Sequence, residues 1–152
     1  MSVIQPNDGT SKILVVWYGL YQVGHILVNG TYLLKPGAPP FAPPEEGWSR
    51  QTVAFMNGMA AADLVNAILS VVFVSGFLRQ ARWHVWLGTV TLTVSMYAAT
   101  VFTYGSVAAG AWNAQALQYL WLYIPFIPVV VLFVLWVYWL ASGTFGGGSS
   151  EG

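Results

Sequence analysis

QTVAFMNGMAAADLVNAILSVVFVSGFL, residues 51–78, carries one charged side chain, Asp63, near the middle of an otherwise uncharged run. A helix crosses the hydrocarbon core of a bilayer with about 20 apolar residues, and this run exceeds that length. A carboxylate at such a depth costs roughly 2.5–3.5 kcal/mol on insertion scales, so it is expected to face a bundle interior and to have a partner there. The reading of the chain turns on finding that partner.

Outward from this stretch, three further apolar runs appear. Residues 13–34 contain no Lys, Arg, Asp or Glu, and exceed the 7–15 residue core of a secretory signal, so they are read as an uncleaved first span. Residues 85–104 form a Thr-rich third span, and residues 114–140 a fourth that ends in VVVLFVLWVYWL. Residues 1–12 are a short polar segment. Residues 35–50 hold five prolines and read as a stiff extended connector. Residues 141–152 are Gly/Ser-rich and read as a disordered tail. The expected fold is all-α: an integral membrane four-helix bundle, up-down-up-down, with one transmembrane domain over residues 13–140.

Composition agrees. Of 152 residues, 57% are hydrophobic and 7% charged, where soluble domains carry about 25% charge. Net charge is zero with no basic block, which argues against nucleic acid as a partner. Without cysteine there are no disulfides and no thiolate chemistry. Arg79 and Arg82 make a compact basic turn, which places both termini in the cytoplasm by the positive-inside rule. Trp17, Trp83, Trp86, Trp136 and Trp139 are expected at one headgroup layer, and Tyr32, Trp48, Tyr104, Trp112 and Tyr119 at the other.

Polar residues fall at helical spacing. Tyr18, Gln22, His25, Asn29 and Tyr32 make one stripe on the first span; Met56, Met59, Asp63, Asn66 and Ser70 make one on the second; Trp86, Thr89, Thr93, Tyr97, Thr100 and Tyr104 make one on the third. Turned toward one another, such stripes satisfy their own hydrogen bonds. At 1.5 Å per residue, His25, Asn66 and Tyr97 lie about 18 Å from the basic-turn side and Asp63 about 22 Å, one layer near mid-membrane. Asp63 and His25 are the expected buried pair and the acid/base candidates. Gln22, Asn29, Met59, Asn66, Thr93, Tyr97, Thr100 and Tyr123 are the expected ligand-binding side chains. Pro125 and Pro128 each remove a helical hydrogen bond and kink the fourth span.

Several chemistries drop out. No span carries a Lys for a retinal Schiff base, and His25 and His84 stand about 18 Å apart in depth, too far to share a haem. His25, Asp63 and a Met fall short of the three or four ligands of a zinc or copper site, so no metal is expected. Whether a cofactor is bound is left open by the sequence. The leading reading is a polar, aromatic-lined pocket for a hydrophobic small molecule or membrane lipid. In architecture the chain resembles the emopamil-binding class of sterol isomerases, four-span proteins with buried acids and aromatic-lined pockets, through Asp63, His25, Asn66 and Tyr97. That resemblance implies isomerase-like acid/base chemistry by His25 or Asp63. The alternatives are a non-catalytic accessory subunit, packed against partner transmembrane subunits, and a small proton-coupled transporter. Homo-oligomerisation is compatible with each.

Overall fold

The computed structural model describes residues 5–6, 8–35 and 49–145. The proline-rich stretch 36–48, residues 1–4 and 7 of the polar segment and residues 146–152 of the tail lie outside these.

The first helix, α1 (Gly9–Leu34), starts four residues before the expected span because Asp8 caps it, accepting from the Ser11 backbone N–H at 2.7 Å. That N–H, foremost among its backbone donors, holds the Asp8 carboxyl below its usual range. The ionised cap therefore acts above the ordinary carboxylate range and is lost as pH falls through the lowered value. α2 (Arg50–Leu78) is capped by Ser49, which accepts from Thr52 N–H at 3.1 Å. It ends in a tight turn in which Gln80 adopts φ 55°. Ala81 N–H reaches the Gly76 carbonyl at 2.9 Å and Gln80 N–H the Phe77 carbonyl at 3.0 Å, the paired closure of a Schellman turn. α3 (His84–Ala108) follows.

The fourth rod is two helices, α4 (Ala111–Tyr123) and α5 (Ile127–Ala141). Pro125 has no N–H to give, and Pro128 sits in the first turn of α5, where the missing donor is harmless. Single-turn bonds bridge the break, from Phe126 N–H to the Tyr123 carbonyl at 3.0 Å and from Ile127 N–H to the Ile124 carbonyl at 3.3 Å. The expected kinked span is thus interrupted rather than bent. The residue 119–141 stretch, with α1, α2 and α3, makes four helical segments long and apolar enough to cross a membrane. Their length and composition suggest an integral membrane protein, folded as an all-α four-helix bundle; there is no strand among the described residues.

The two halves of the bundle pack differently. α1 lies along α2, α2 along α3, and α5 fills the groove between α1 and α3. There the core closes on Val15, Tyr18, Phe73, Phe77, Leu87, Leu92, Leu132, Trp136 and Trp139. Trp136 and Trp139 were expected at the headgroups; they turn inward and are 1% exposed, while Trp86 is 62% exposed. The cause is α5, whose inner face has to fill the space between three helices. In the other half α4 packs on α3 without an extensive contact to α1. Among the described residues a smaller buried cluster, Tyr32, Met56 and Ala60, lies in that half. Trp17 ties the break to α1, donating from Nε1 to the Pro125 carbonyl at 2.9 Å.

Candidate functional site

Where α4 stands off from α1, a cavity of about 410 Å³ remains. α1 lines it with Gln22, His25, Asn29 and Tyr32, α2 with Met56, Met59 and Asp63, α3 with Ser95, Ala98, Ala99 and Phe102, and the fourth rod with Trp121, Leu122, Tyr123, Pro125 and Phe126. The α1 stripe turns inward as its spacing predicts: Tyr18, Gln22 and Tyr32 are buried, His25 and Asn29 half-buried.

Two polar groups form on this wall. In the first, Asp63 Oδ2 takes both of its donors, His25 Nδ1 and the Asn29 amide, the latter at 2.7 Å. Neither donor goes to Oδ1. The carboxylate side chain is 16% exposed and the imidazole 34%. Tyr21 packs its ring 4.5 Å from the imidazole and fixes its plane.

The second group is fully buried, and its proton order follows from counting. Ser95 Oγ accepts from Gln22 Nε2 at 3.1 Å and from Asn66 Nδ2 at 3.0 Å. Both lone pairs are then used, so its own proton goes to the Tyr18 oxygen at 2.9 Å. Tyr18 therefore donates to Ser70 Oγ at 2.8 Å, and Ser70 donates to the Asn66 carbonyl at 2.7 Å. Every hydroxyl in this sequence has one destination. Ser95→Ala removes the junction and strands two amides and a phenol. With interhelical bonds in membranes averaging about 0.6 kcal/mol each, the expected loss is about 1.5 kcal/mol, read from detergent-titrated unfolding. A loss under about 0.5 kcal/mol would mean that the amides find other partners.

Of the expected side chains, the structure gathers Asp63, His25, Asn29, Gln22, Met59 and Tyr123 at the cavity, with Asn66 one turn below in the buried network. Tyr123 spends its hydroxyl on Thr103 Oγ1 at 2.5 Å, so it contributes its ring to the wall. Thr93, Tyr97 and Thr100 do not join: all three lie on the outer side of α3, with Tyr97 68% exposed. The Thr-rich stripe misleads because threonine can satisfy itself. Thr89 and Thr100 return their hydroxyls to the Val85 and Met96 carbonyls of the preceding turn, at 2.8 and 2.9 Å, and need no second helix. The face that turns inward carries Gly88, Thr91, Ser95 and Ala99 at spacings of three and four. Those small residues let α3 approach α2 closely, and this spacing was the available signal for Ser95.

Among the described residues no group of three or more His, Asp or Glu side chains could hold a metal ion. No protein-family model, curated protein or solved structure matches the chain. The architectural resemblance to emopamil-binding proteins therefore gains nothing from comparison, and it loses Tyr97 from the shared set.

Proposed function

We propose that the protein binds one hydrophobic small molecule or lipid drawn from the surrounding membrane, and that Asp63, His25 and Asn29 orient its polar group. The observation that carries this reading is one cavity lining that joins exposed apolar side chains to partly buried polar ones. Leu20 and Val28 of α1 and Trp121 and Leu122 of the fourth rod line the cavity and are exposed. All four belong to stretches long and apolar enough to cross a membrane, which favours a ligand arriving from hydrocarbon. An apolar lining with a few convergent polar groups suits a ligand that partitions into lipid. Any acid/base step on that ligand would fall to the His25–Asp63 pair, whose Nδ1 and Oδ2 are in hydrogen-bond contact.

The test is extraction of the full-length protein in mild detergent, followed by mass spectrometry of what travels with it. One stoichiometric lipid-like species is expected; a preparation that carries only bulk lipid in proportion to the micelle would oppose the reading. Gly24→Leu supplies the companion variant. Gly24 lines the cavity, and a Cβ there meets nothing within 4 Å. The added side chain is expected to plug the slot and reduce the bound species at least about tenfold. Fold stability should hold or rise by up to about 1 kcal/mol, since leucine is the better helix former.

The accessory-subunit reading is favoured by one separate observation, the outward polar and aromatic face of α3, with Tyr97 68% and Tyr104 78% exposed. A photoreactive amino acid at position 97 in native membranes distinguishes it: a discrete protein adduct supports a partner helix, and lipid adducts alone argue against one.

A further inference from the structure

The polar stripe of α3 takes no part in the cavity, and it points outward. We propose that this face is the contact between two copies of the chain, α3 against α3, with the Tyr97 hydroxyl of each copy donating to Thr100 Oγ1 of the other. The contact is independent of whether the cavity holds a ligand.

α2, α4 and α5 all pack on α3, and the side they leave clear carries Trp86, Val90, Thr93, Tyr97, Thr100 and Tyr104, every one exposed. These residues follow one another at intervals of four and three, the spacing of a seam along which one helix packs on another. Near mid-span the other rods turn aliphatic side chains outward, among them Leu20 and Val23 on α1, Val65 and Ile68 on α2, and Val131 and Val134 on α5. Tyr97 stands about 20 Å from the start of α3 and about 16 Å from its end, too deep for its phenol to reach either headgroup layer. The residue is 68% exposed, and among the described residues its hydroxyl has no hydrogen-bond partner. Lipid tails offer no acceptor, so such a hydroxyl is costly until another protein surface covers it.

The seam supplies that acceptor itself. Thr100 gives its own proton to the Met96 carbonyl at 2.9 Å, so its oxygen keeps lone pairs free on the outer face. Two copies inserted with the same topology pair about an axis along the membrane normal, and α3 then meets α3 in parallel. Each seam residue faces its counterpart and the residues three and four along, which sets Tyr97 beside Thr100 of the second copy and repeats the bond by symmetry. Shape agrees, because the rings of Tyr97 and Tyr104 alternate with the short side chains of Thr93 and Thr100. No charged residue lies on the seam, so the copies do not repel. The area is also sufficient. Trp86, Tyr97 and Tyr104 are 62%, 68% and 78% exposed, and rings of this size bury about 150–250 Å² each, so these three offer about 400 Å² a side. Val90, Thr93 and Thr100 bring the seam toward the level of a stable pair, about 800 Å² per partner.

The chain has no cysteine, so single thiols report the contact directly. Thr93→Cys and Thr100→Cys lie on the seam, and Ile68→Cys, at a position 49% exposed on α2, is the outward control. Full-length variants in native membranes are oxidised with copper phenanthroline. Both seam thiols are expected to give a disulfide-linked dimer at least about tenfold faster than the control, since the bond needs Cα atoms within about 7 Å. Tyr97→Phe leaves the core untouched and should weaken association of labelled chains in lipid vesicles about sevenfold, the loss of two interhelical bonds of average strength. If a seam variant does not fold, Förster transfer between parent chains, followed against protein density in the vesicles, decides alone. Equal rates at positions 68, 93 and 100 mean random collision and overturn the pairing, as does a parent chain that stays monomeric at every density. A disulfide to a different protein in place of the dimer overturns the second copy as partner and favours the accessory-subunit reading. Unchanged association of Tyr97→Phe overturns the hydrogen bond assigned to Tyr97.

Discussion

Asp63→Ala is expected to reduce retention of the bound molecule at least about a hundredfold, equivalent to about 2.7 kcal/mol, and to destabilise the fold by about 2 kcal/mol. The binding loss follows from the geometry of one oxygen. Oδ2 holds both His25 Nδ1 and the Asn29 amide, so one truncation releases the two side chains that shape the middle of the cavity. Removing one partner of a buried pair costs about 3–5 kcal/mol, and the partial exposure of this pair calls for a smaller figure. Asp63→Asn separates the effects. It keeps an acceptor for Asn29 or His25 and removes the charge whose insertion costs roughly 2.5–3.5 kcal/mol, so stability should stay within about 1 kcal/mol of the parent. Binding should fall with both substitutions. Native mass spectrometry for the ligand and detergent-titrated unfolding for the fold measure the two quantities on the same samples. Retention unchanged in Asp63→Ala would remove Asp63 from the site.

The largest stability effect outside the cavity belongs to Gly88→Ala. A Cβ at this position would stand 2.5 Å from Phe73 Cε2 and 2.6 Å from Trp136 Cζ2. Neither ring has room to yield. Phe73 is 0% and Trp136 1% exposed, they pack edge to face with centroids 5.2 Å apart, and Trp136 Nε1 is fixed on Thr89 Oγ1 at 3.0 Å. Inserting a methyl group into such a core costs typically 1–3 kcal/mol, and this site is expected at about 3. Because the contact lies in the half packed by α5, the folded fraction should still bind its ligand with the parent affinity. A loss below about 1 kcal/mol would mean that the helices slide apart to admit the methyl.

How far these sites were legible depends on what each side chain can do alone. Gln22, His25, Asn29 and Asp63 have polar ends that cannot be answered by their own helix, so their spacing on α1 and α2 pointed inward and the structure gathers them. Thr93 and Thr100 gave a false stripe: both lie on the outer side of α3, and Thr100 returns its hydroxyl to the Met96 carbonyl one turn earlier. Ser95 was passed over for the opposite reason: a single serine among small residues reads as filler, and it becomes a junction only through Tyr18, Gln22 and Asn66, which arrive from two other helices. Trp136 and Trp139 near a span end read as interfacial anchors, and only the three-helix groove around α5 makes them core. Pro125 and Pro128 announced a disturbance in the fourth span. That α4 would stand clear of α1 and leave a slot depended on how the aromatic half packs, which local pattern does not encode.

Rings are crowded around α5, while α4 rests on a single neighbour. If the cavity holds a ligand as proposed, resistance to heat and capacity for a guest lie at opposite ends of one small molecule. Changes in the cavity lining would then leave the aromatic end in place, because Phe73, Trp136 and Trp139 make their contacts away from it.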